Sequence, residues 1–404
     1  MLSEKYINQY TAEISQATER IKQDAPPLCE LQYFWEEVEK YFSLSLQPTP
    51  KPDIIVWGTA FPEELIYAFG VSPCIIAGGS LAVSALTDDE LPRDTDAVSR
   101  SAYGILANKL TEKSLVIIPI TDDSSRKISY ILKSKGVKVH TVDIPPTGSD
   151  TARAAWIYQT ELCAEAIARH LKRPFSKRRF KSACTLVYRA KAALREFTEL
   201  SLSRTNIIPD TLRMFIAYSY YCTANIEQWT NNLRQLNEKI KELDEDGASD
   251  KNRVLIVGSP IYFPNFKIPY LLRDAGLHIA ANIDYAAIRA VNPSEPNKSF
   301  SDVMNGYYEN DCSGAYAVND RLYGYVEQAA RRFKPDGIVF HILKGQIEYD
   351  YELSRMENMF NEKNIPVFRL ETDYNKQDIE QLRIRAEAFG EVLEQRKYAE
   401  ANPT

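Results

Sequence analysis

The sequence predicts an α/β protein built from two doubly wound, flavodoxin-like parallel-sheet lobes with a helical insertion between them. Short apolar runs alternate with helical patterns from residue 54 to residue 150, and the same alternation returns after residue 252. The stretch between these regions has helical periodicity and few strand signals. Four segments are therefore expected: an N-terminal helical arm at 1–50, a first α/β lobe at 51–150, a helical insertion at 151–250 and a second α/β lobe at 251–404.

The predicted elements of the first lobe each have a local signal. The helical spacing of apolar residues in 1–45 ends at PTPKPD (48–53), because proline removes a backbone donor and restricts the residue before it. A buried strand at IIVWG (54–58) and a helix at FPEELIYAFG (61–70) follow. Further strands are predicted at SPCIIAGG, SLVIIPIT and VKVHTVDIPP, with a helix at SSRKISYILKSKG between the last two.

The insertion and the second lobe follow the same logic. Ser176 is placed to cap a helix over 177–201, and the basic run from Arg173 to Lys181 is interpreted as a solvated helix face rather than a phosphate site. The polar stretch ELDEDGASDKN (242–252) reads as a linker. Strands are then predicted at RVLIVGSP, LHIAANI, DGIVFHIL and IPVFRLE, with helices between them and a final helix that ends near 396.

Composition excludes several classes of protein. The chain has 404 residues, of which 44% are hydrophobic and 26% are charged, and a formal net charge of −6. The acidic balance argues against nucleic acid as the main partner, because phosphate binding needs a basic surface. No apolar run is long enough to span a membrane, and the N-terminal residues lack the apolar core of a signal peptide. A cytoplasmic protein is expected.

The cysteine and histidine pattern argues against a disulfide framework and a compact zinc site. The six cysteines are widely spaced with no CxxC pair, and the four histidines are equally scattered. Most of the thiols are expected to be buried core residues.

The segment HILKGQIEYDYELSRMENMF (341–360) is the most polar loop at the carboxyl end of a predicted strand. In such sheets, ligands bind at the carboxyl ends of the strands. Two interpretations remain open. The loop is either a solvated turn and helix start, in which Glu348 and Asp350 favour the helix N-terminus, or part of a pocket or interface. In the second case its polar residues, Lys344, Gln346, Glu348 and Asp350, face Asp96, Asp122, Glu371 and Asp373.

Several ordered motifs resemble those of the 2-hydroxyacyl-CoA dehydratase and benzoyl-CoA reductase family, which includes the double-cubane iron–sulfur proteins. The similarity is strongest at IPVFRLETDYNKQDIEQLRIRAEAF (365–389). It extends to LPRDTDAVSRSAYG (91–104), VGSPI (257–261) and GIVFHILKGQ (337–346). Together these motifs cover most of the chain in order.

The resemblance implies cluster ligands on the strand-end loops, and this chain departs from that pattern. The family's cysteine positions fall on Asp96, on Asp122, near Tyr285 and on Gln346. Iron–sulfur clusters need thiolates, and carboxylate or amide oxygens are poor substitutes. Cys312 is the one possible residual ligand. The chain alone is therefore expected to hold no cofactor, and a [4Fe-4S]-type cluster is expected in a partner subunit.

The first functional hypothesis is a subunit of a dehydratase- or reductase-type complex that contributes an acyl-CoA site or an interface. The resemblance implies a homologous cluster-bearing partner and an ATP-dependent activator, since this chain has no GxxxxGK[ST] motif. The KGQIEYD loop favours the reductase branch. Residues carried over by resemblance as substrate or interface contacts are Arg100, Ser101, Tyr103, Lys344 and Glu371.

Two alternatives belong to other classes. One is a non-catalytic ligand-binding or scaffold protein that kept the fold and lost the chemistry. The other is a cluster-free enzyme in which Asp96 and Asp122 form an acid–base or metal-binding pair.

Overall fold

The computed structural model describes residues 4–44, 52–92, 94–245, 251–292, 295–296, 298–314 and 316–402. Its strands form two four-stranded parallel sheets with the same order. Sheet A has the order β2-β1-β3-β4 and sheet B the order β6-β5-β7-β8. The predicted fold class, two doubly wound parallel-sheet lobes, is confirmed.

The strands are β1 (Ile54–Trp57), β2 (Cys74–Ile76), β3 (Leu115–Ile120), β4 (Lys138–Asp143), β5 (Asn252–Gly258), β6 (Leu277–Ile283), β7 (Gly337–Leu343) and β8 (Val367–Thr372). The helices up to the start of sheet B are α1 (Glu4–Asp24), α2 (Gln32–Phe42), α3 (Glu64–Tyr67), α4 (Leu81–Ser84), α5 (Ala97–Lys109), α6 (Asp123–Ser134), α7 (Asp150–Leu171), α8 (Lys177–Leu202), α9 (Asp210–Cys222) and α10 (Ile226–Lys241). The remaining helices are α11 (Lys267–Asp274), α12 (Tyr285–Val291), α13 (Phe300–Glu309), α14 (Asp320–Phe333), α15 (Ile347–Asn361) and α16 (Ile379–Ala401).

The central strands are apolar because both of their faces are covered. Every residue of β1, β3 and β7 is buried, as parallel sheets with helices on both sides require. The connections leave the sheet in opposite directions between β1 and β3 in sheet A, and between β5 and β7 in sheet B. Such switch points open crevices at the carboxyl ends of the strands, so the loops after these four strands are placed to form a site.

Long helices join the two sheets. Helices α7 to α10 follow one another, and one apolar core runs from the N-terminal helices through sheet A and these helices to part of sheet B. The apolar residues at helical spacing in the N-terminal segment, Leu31, Phe34, Val38 and Phe42, form a stripe that is buried in this core. Phe34 contacts Trp229, Trp35 contacts Phe215, and Phe42 stacks on Tyr218. The stripe packs on its own chain and is not exposed for a partner.

The local signals located most elements, and the differences have local causes. The strand runs and the Ser176 cap are present, with Ser176 Oγ accepting from Arg179 N. The helix predicted over 61–70 is a single turn, α3, flanked by turns. Helices α5, α12 and α13 were not predicted. Part of the predicted linker, residues 246–250, lies outside the described residues. Among the described residues, no helix combines the length and apolar character needed to cross a membrane.

Candidate functional site

A small cavity lies where the switch points of the two sheets face each other. Its volume is about 30 Å³, and its walls come from both lobes. Thr59, Ser99 and Asp122 line it from the side of sheet A, and Tyr285 and Gln346 from the side of sheet B. Three of the four predicted cluster positions therefore surround one point. We call this space the junction cavity.

The fourth position, Asp96, lies beside the loop that carries Gln346. A Cβ atom built on Gly345 would lie 3.0 Å from Asp96 Cα, and the φ of Gly345 is +92°. Both the close approach and the positive φ require glycine. The loop after β7 is therefore pressed directly against the start of α5.

Asp96 and Asp122 are helix N-caps. Asp96 begins α5, and its two carboxylate oxygens accept from Ser99 N (2.9 Å) and Ser124 Oγ (3.0 Å). Burial raises the pKa of Asp96, and the nearby charge of Asp122 acts in the same direction. The backbone amides at a helix start are ready donors for such carboxylates. Asp96 is thus held in a structural role.

Asp122 has the same role at the start of α6. Its carboxylate accepts from Ser125 N (2.6 Å) and Thr121 Oγ1 (2.7 Å), and the Ser125 hydroxyl completes a capping box. Among the described residues, no group of three or more His, Cys, Asp or Glu side chains is arranged to hold a metal ion. Both carboxylates thus accept hydrogen bonds as helix caps, and the hypothesis of an Asp96–Asp122 metal or acid–base pair stays a prediction.

Gln346 lines the junction cavity, and Glu348 follows it in the first turn of α15. The Oε1 atom of Gln346 is buried and accepts no hydrogen bond from any described residue. Burial raises the pKa of Glu348 to about 7, with smaller contributions from the charges of Asp122 and Asp96. A buried acceptor without a donor calls for a water or a ligand group. This half of the polar loop faces Asp96 and Asp122, as the pocket interpretation expected.

The other half of the loop points to solvent. Asp350 and Glu371 pair with the same guanidinium, that of Arg369, at 2.9 and 3.0 Å. Lys344 is exposed. Asp373 accepts from the backbone and side chain of Asn375 in a turn. Gln346 lines the junction cavity and Asp350 pairs with Arg369 at the surface. A binding role for Lys344, Gln346, Glu348, Asp350, Glu371 or Asp373 stays a prediction.

The three α5 residues carried over by resemblance lie outside the junction cavity. Arg100 forms an ion pair with Asp88, the Ser101 hydroxyl accepts from Ser80 N at 2.9 Å, and Tyr103 donates to Glu90. These bonds fix α5 to the segment before it. A substrate or interface role for Arg100, Ser101 and Tyr103 stays a prediction.

A larger cleft of about 620 Å³ adjoins the junction cavity and shares Ala60 and Tyr285 with it. It runs along α13, from Cys312 and Tyr285 at one end to the exposed residues Lys298 and Asp302 at the other. Its side next to α7 is formed by Trp156, whose indole donates to Met304 O at 2.7 Å. The size suits a small-molecule ligand.

Cys312 lies in the wall of this cleft and is buried. Burial raises the pKa of the Cys312 thiol well above its usual range, and the carboxyls of Asp311 and Asp284 act in the same direction. A thiol held in its neutral form is a poor metal ligand and a poor nucleophile.

A buried ionic network lies beneath the cleft. Both oxygens of Glu63 are paired, one with Lys191 Nζ at 3.0 Å and the other with Arg289 Nη2 at 2.8 Å. Lys191 also donates to the hydroxyl of Tyr307 at 3.1 Å, and this hydroxyl donates to the Glu64 carboxylate at 2.7 and 2.8 Å. Arg289 and Tyr307 line the cleft. The side chain of Tyr307 thus connects Glu64 to the cleft by a hydrogen bond.

The pKa values of the two adjacent glutamates are shifted in opposite directions. Burial alone would raise the pKa of Glu63, but Lys191 and Arg289 lower it to about 2. Burial and the charge of Glu63 raise the pKa of Glu64 to about 7. A pair whose environments separate its pKa values is a frequent sign of acid–base function.

Sequence reasoning missed this network. The EE dipeptide in FPEELIYAFG was interpreted only as part of a helix. The available signal was two adjacent carboxylates in a segment that is otherwise apolar. Lys191 and Arg289 lie far away in the sequence and gave no hint of their pairing.

This fold and site define a two-lobed α/β protein with a ligand cleft at the carboxyl ends of its strands. The family model "2-hydroxyglutaryl-CoA dehydratase, D-component" matches residues 59–393. The chain belongs to this family.

Two relatives align over most of their lengths. The chain is 23% identical over 355 residues to the "Putative dehydratase subunit YjiM" of Escherichia coli (strain K12), covering 85% of this chain and 91% of that protein. It is 22% identical over 386 residues to the "(R)-phenyllactyl-CoA dehydratase beta subunit" of Clostridium sporogenes, covering 89% and 96%. A solved structure of the Pseudomonas aeruginosa protein SBP FpvC with Mn2+ matches 85% of this chain and 98% of that chain at 14% identity. Its TM-score of 0.22 is too low to carry an argument.

Proposed function

We propose that this chain is a subunit of a 2-hydroxyacyl-CoA dehydratase complex and that the acyl end of the CoA thioester occupies the cleft along α13. The observation that carries the proposal is the Glu64–Tyr307 pair at the cleft wall. The family description and the names of both relatives describe dehydratases, so we propose the dehydratase branch rather than the reductase branch that the KGQIEYD loop favoured.

Loss of water from a 2-hydroxyacyl thioester requires one group to take a proton from carbon and another to help the hydroxyl leave. A carboxyl with a pKa near neutrality performs both kinds of proton transfer efficiently. Glu64 meets this requirement, and the hydroxyl of Tyr307 connects it to the cleft. Lys191 fixes the orientation of this hydroxyl by donating to it. Proton exchange between Glu64 and a bound substrate therefore passes through Tyr307.

We further propose that the four strand-end positions of this chain hold no iron–sulfur cluster. The donors there are oxygens, and both carboxylates already cap helices. The loop at Gly345 is packed against Asp96, and the junction cavity has room for only about one or two waters. Gln346, with its unpartnered oxygen, is placed to bind such a water. Any cluster chemistry of the complex would then belong to a partner subunit, and reduction to a separate activator.

The partner and the reaction can be tested together. The chain is purified anaerobically from its native host, and co-purifying proteins are identified. Dehydration of (R)-phenyllactyl-CoA and 2-hydroxyglutaryl-CoA is then measured with and without this chain. We expect a homologous subunit to co-purify and turnover to require both chains. A partner that is fully active alone would refute the catalytic role.

The Tyr307→Phe variant tests the proton path. We expect turnover to fall by about 10- to 100-fold with little change in KM. Tyr325→Phe is the matched control, because Tyr325 also lines the cleft but its hydroxyl contacts Asn310 at 3.0 Å instead of Glu64. Equal effects of the two variants would contradict the proposal. Anaerobic reconstitution of the chain alone should leave iron well below one per chain, and about four irons per chain would overturn the cluster assignment.

A non-catalytic binding protein remains the alternative. It would bind the CoA esters in the cleft, show no dependence of turnover on Tyr307 and have no partner whose activity requires it. The structural role of Asp96 and Asp122 as helix caps is the observation that favours it.

A further inference from the structure

The turn between α7 and α8 carries a dense patch of unpaired positive charge. Six of the ten residues from 172 to 181 are basic: Lys172, Arg173, Lys177, Arg178, Arg179 and Lys181. All six are exposed, and none forms an ion pair with any residue that the structure describes. In a chain of net charge −6, such a patch is unusual. We call these six residues the basic turn.

Two arginines of the basic turn are held in place by backbone carbonyls. Arg173 donates to Phe69 O at 3.1 Å, and Arg179 donates to Ala68 O at 3.1 Å, both just after the end of α3. These bonds leave the guanidinium charges without a counter-ion. The backbone carbonyls after α3 thus hold two of the side chains in place, and the charge of the turn has no counter-ion among the described residues.

The basic turn lies next to one end of the cleft. Helix α13 runs antiparallel to α7, since Glu309 pairs with Arg153 at 3.3 Å while Phe300 contacts Phe175 and Phe180. Phe300 lies between Lys298 and Asp302, which line the exposed end of the cleft. Helix α13 is about 14 Å long, so the basic turn is well separated from Tyr285 and Cys312.

We propose that the basic turn binds the phosphorylated end of the CoA ester whose acyl end lies in the cleft. This inference rests on the proposed function. In CoA a long pantetheine arm separates the thioester from a pyrophosphate and a 3′-phosphate, so the ligand needs an anion site at a distance from the reacting end. Lysine and arginine side chains bind phosphate by charge-assisted hydrogen bonds. The turn is therefore a ligand anchor and not merely a solvated helix face, which revises the interpretation of the sequence.

The test compares CoA, 3′-dephospho-CoA and pantetheine by calorimetry, with the chain alone and with the purified complex. The variant Lys177→Gln/Arg178→Gln/Lys181→Gln removes three charges and leaves Arg173 and Arg179 in place. We expect its affinity for CoA to fall about tenfold, with no change for pantetheine and a weaker dependence on salt. The wild-type preference for CoA over 3′-dephospho-CoA should shrink in the variant.

The control is Lys113→Gln/Lys127→Gln/Lys138→Gln, which removes the same charge from exposed sites in the first lobe. Thermal unfolding of both variants checks that each is folded. Equal CoA affinity in the wild type and the basic-turn variant would overturn the inference while leaving the proposed function intact. Loss of a protein partner without loss of CoA affinity would also overturn it, because the patch would then bind an acidic protein. If neither the chain nor the complex binds CoA or pantetheine, the proposed function itself fails.

Discussion

The hydroxyl of Tyr307 donates to both carboxylate oxygens of Glu64, at 2.8 and 2.7 Å, and joins a buried acid to the wall of the cleft. The two residues are 243 positions apart in the chain. Glu63, beside Glu64, pairs with both Lys191 and Arg289, and burial together with the charge of Glu63 raises the pKa of Glu64.

Glu64→Gln should change the pH dependence of stability. Burial and Glu63 raise the pKa of Glu64 from 4.5 to about 7, so folding favours its neutral form. The stabilisation from this group is fully present below pH 4.5 and is lost as the pH rises through about 7. As the pH rises between these values, the wild type should therefore lose roughly 1–3 kcal/mol of unfolding free energy relative to the variant. Urea unfolding at several pH values measures this difference. If the unfolding free energies of the wild type and the variant change in parallel with pH, the raised pKa of Glu64 is refuted. Glu295→Gln, at an exposed position of the cleft, is the control.

Glu63→Gln should be strongly destabilising, because it removes the carboxylate that pairs with both buried cations, Lys191 and Arg289. Breaking a buried ion pair in this way costs about 3–5 kcal/mol. Adding Lys191→Met should recover part of the loss, since it removes one of the uncompensated charges. The exposed pair Glu295–Lys298 provides the comparison: Glu295→Gln should cost less than about 1 kcal/mol. Similar losses of unfolding free energy in Glu63→Gln and Glu295→Gln would contradict the expectation that the buried ion pairs of Glu63 stabilise the fold more than an exposed pair does.

Asp122 should tolerate asparagine but not alanine, because its role is to cap α6. Asparagine also accepts from backbone amides at a helix start, whereas Asp122→Ala should lower the free energy of unfolding by about 1 kcal/mol. We expect dehydration to persist in both variants. If Asp122→Asn abolished turnover or CoA binding while the chain remained folded, the carboxylate would have a chemical role and the capping assignment would be insufficient.

Gly345→Ala should destabilise the junction between the lobes. The φ of +92° is strained for any L side chain, and an added Cβ would lie 3.0 Å from Asp96 Cα, so a loss of roughly 1–3 kcal/mol is expected. The control is Gly324→Ala in α14, where an added Cβ meets nothing within 4 Å. That variant should gain about 0.5–1 kcal/mol from helix propensity. Equal effects of the two substitutions would show that the close contact between Gly345 and Asp96 does not require glycine.

The sequence alone determined the strands, most helices and the family, because these depend on local patterns. Apolar runs such as IIVW in β1 predict buried strands in an alternating α/β chain, and Ser176 caps a helix by contacts three residues away. The Asp122-x-x-Ser125 spacing is typical of a helix capping box, whereas the family resemblance indicated a replaced cluster ligand at Asp122.

Only the tertiary structure decided which polar groups share a site. Asp350 pairs with Arg369 at the surface, while Gln346 lines the junction cavity, and composition does not distinguish these two neighbours in the sequence. The network of Glu63, Lys191 and Arg289 has the same origin. Its members are the N-cap residue of α3 and residues of α8 and α12. The pKa of Glu63 depends on burial and on charges from positions more than a hundred residues away in the chain. Sequence patterns report local preference, whereas electrostatic coupling depends on distance in space.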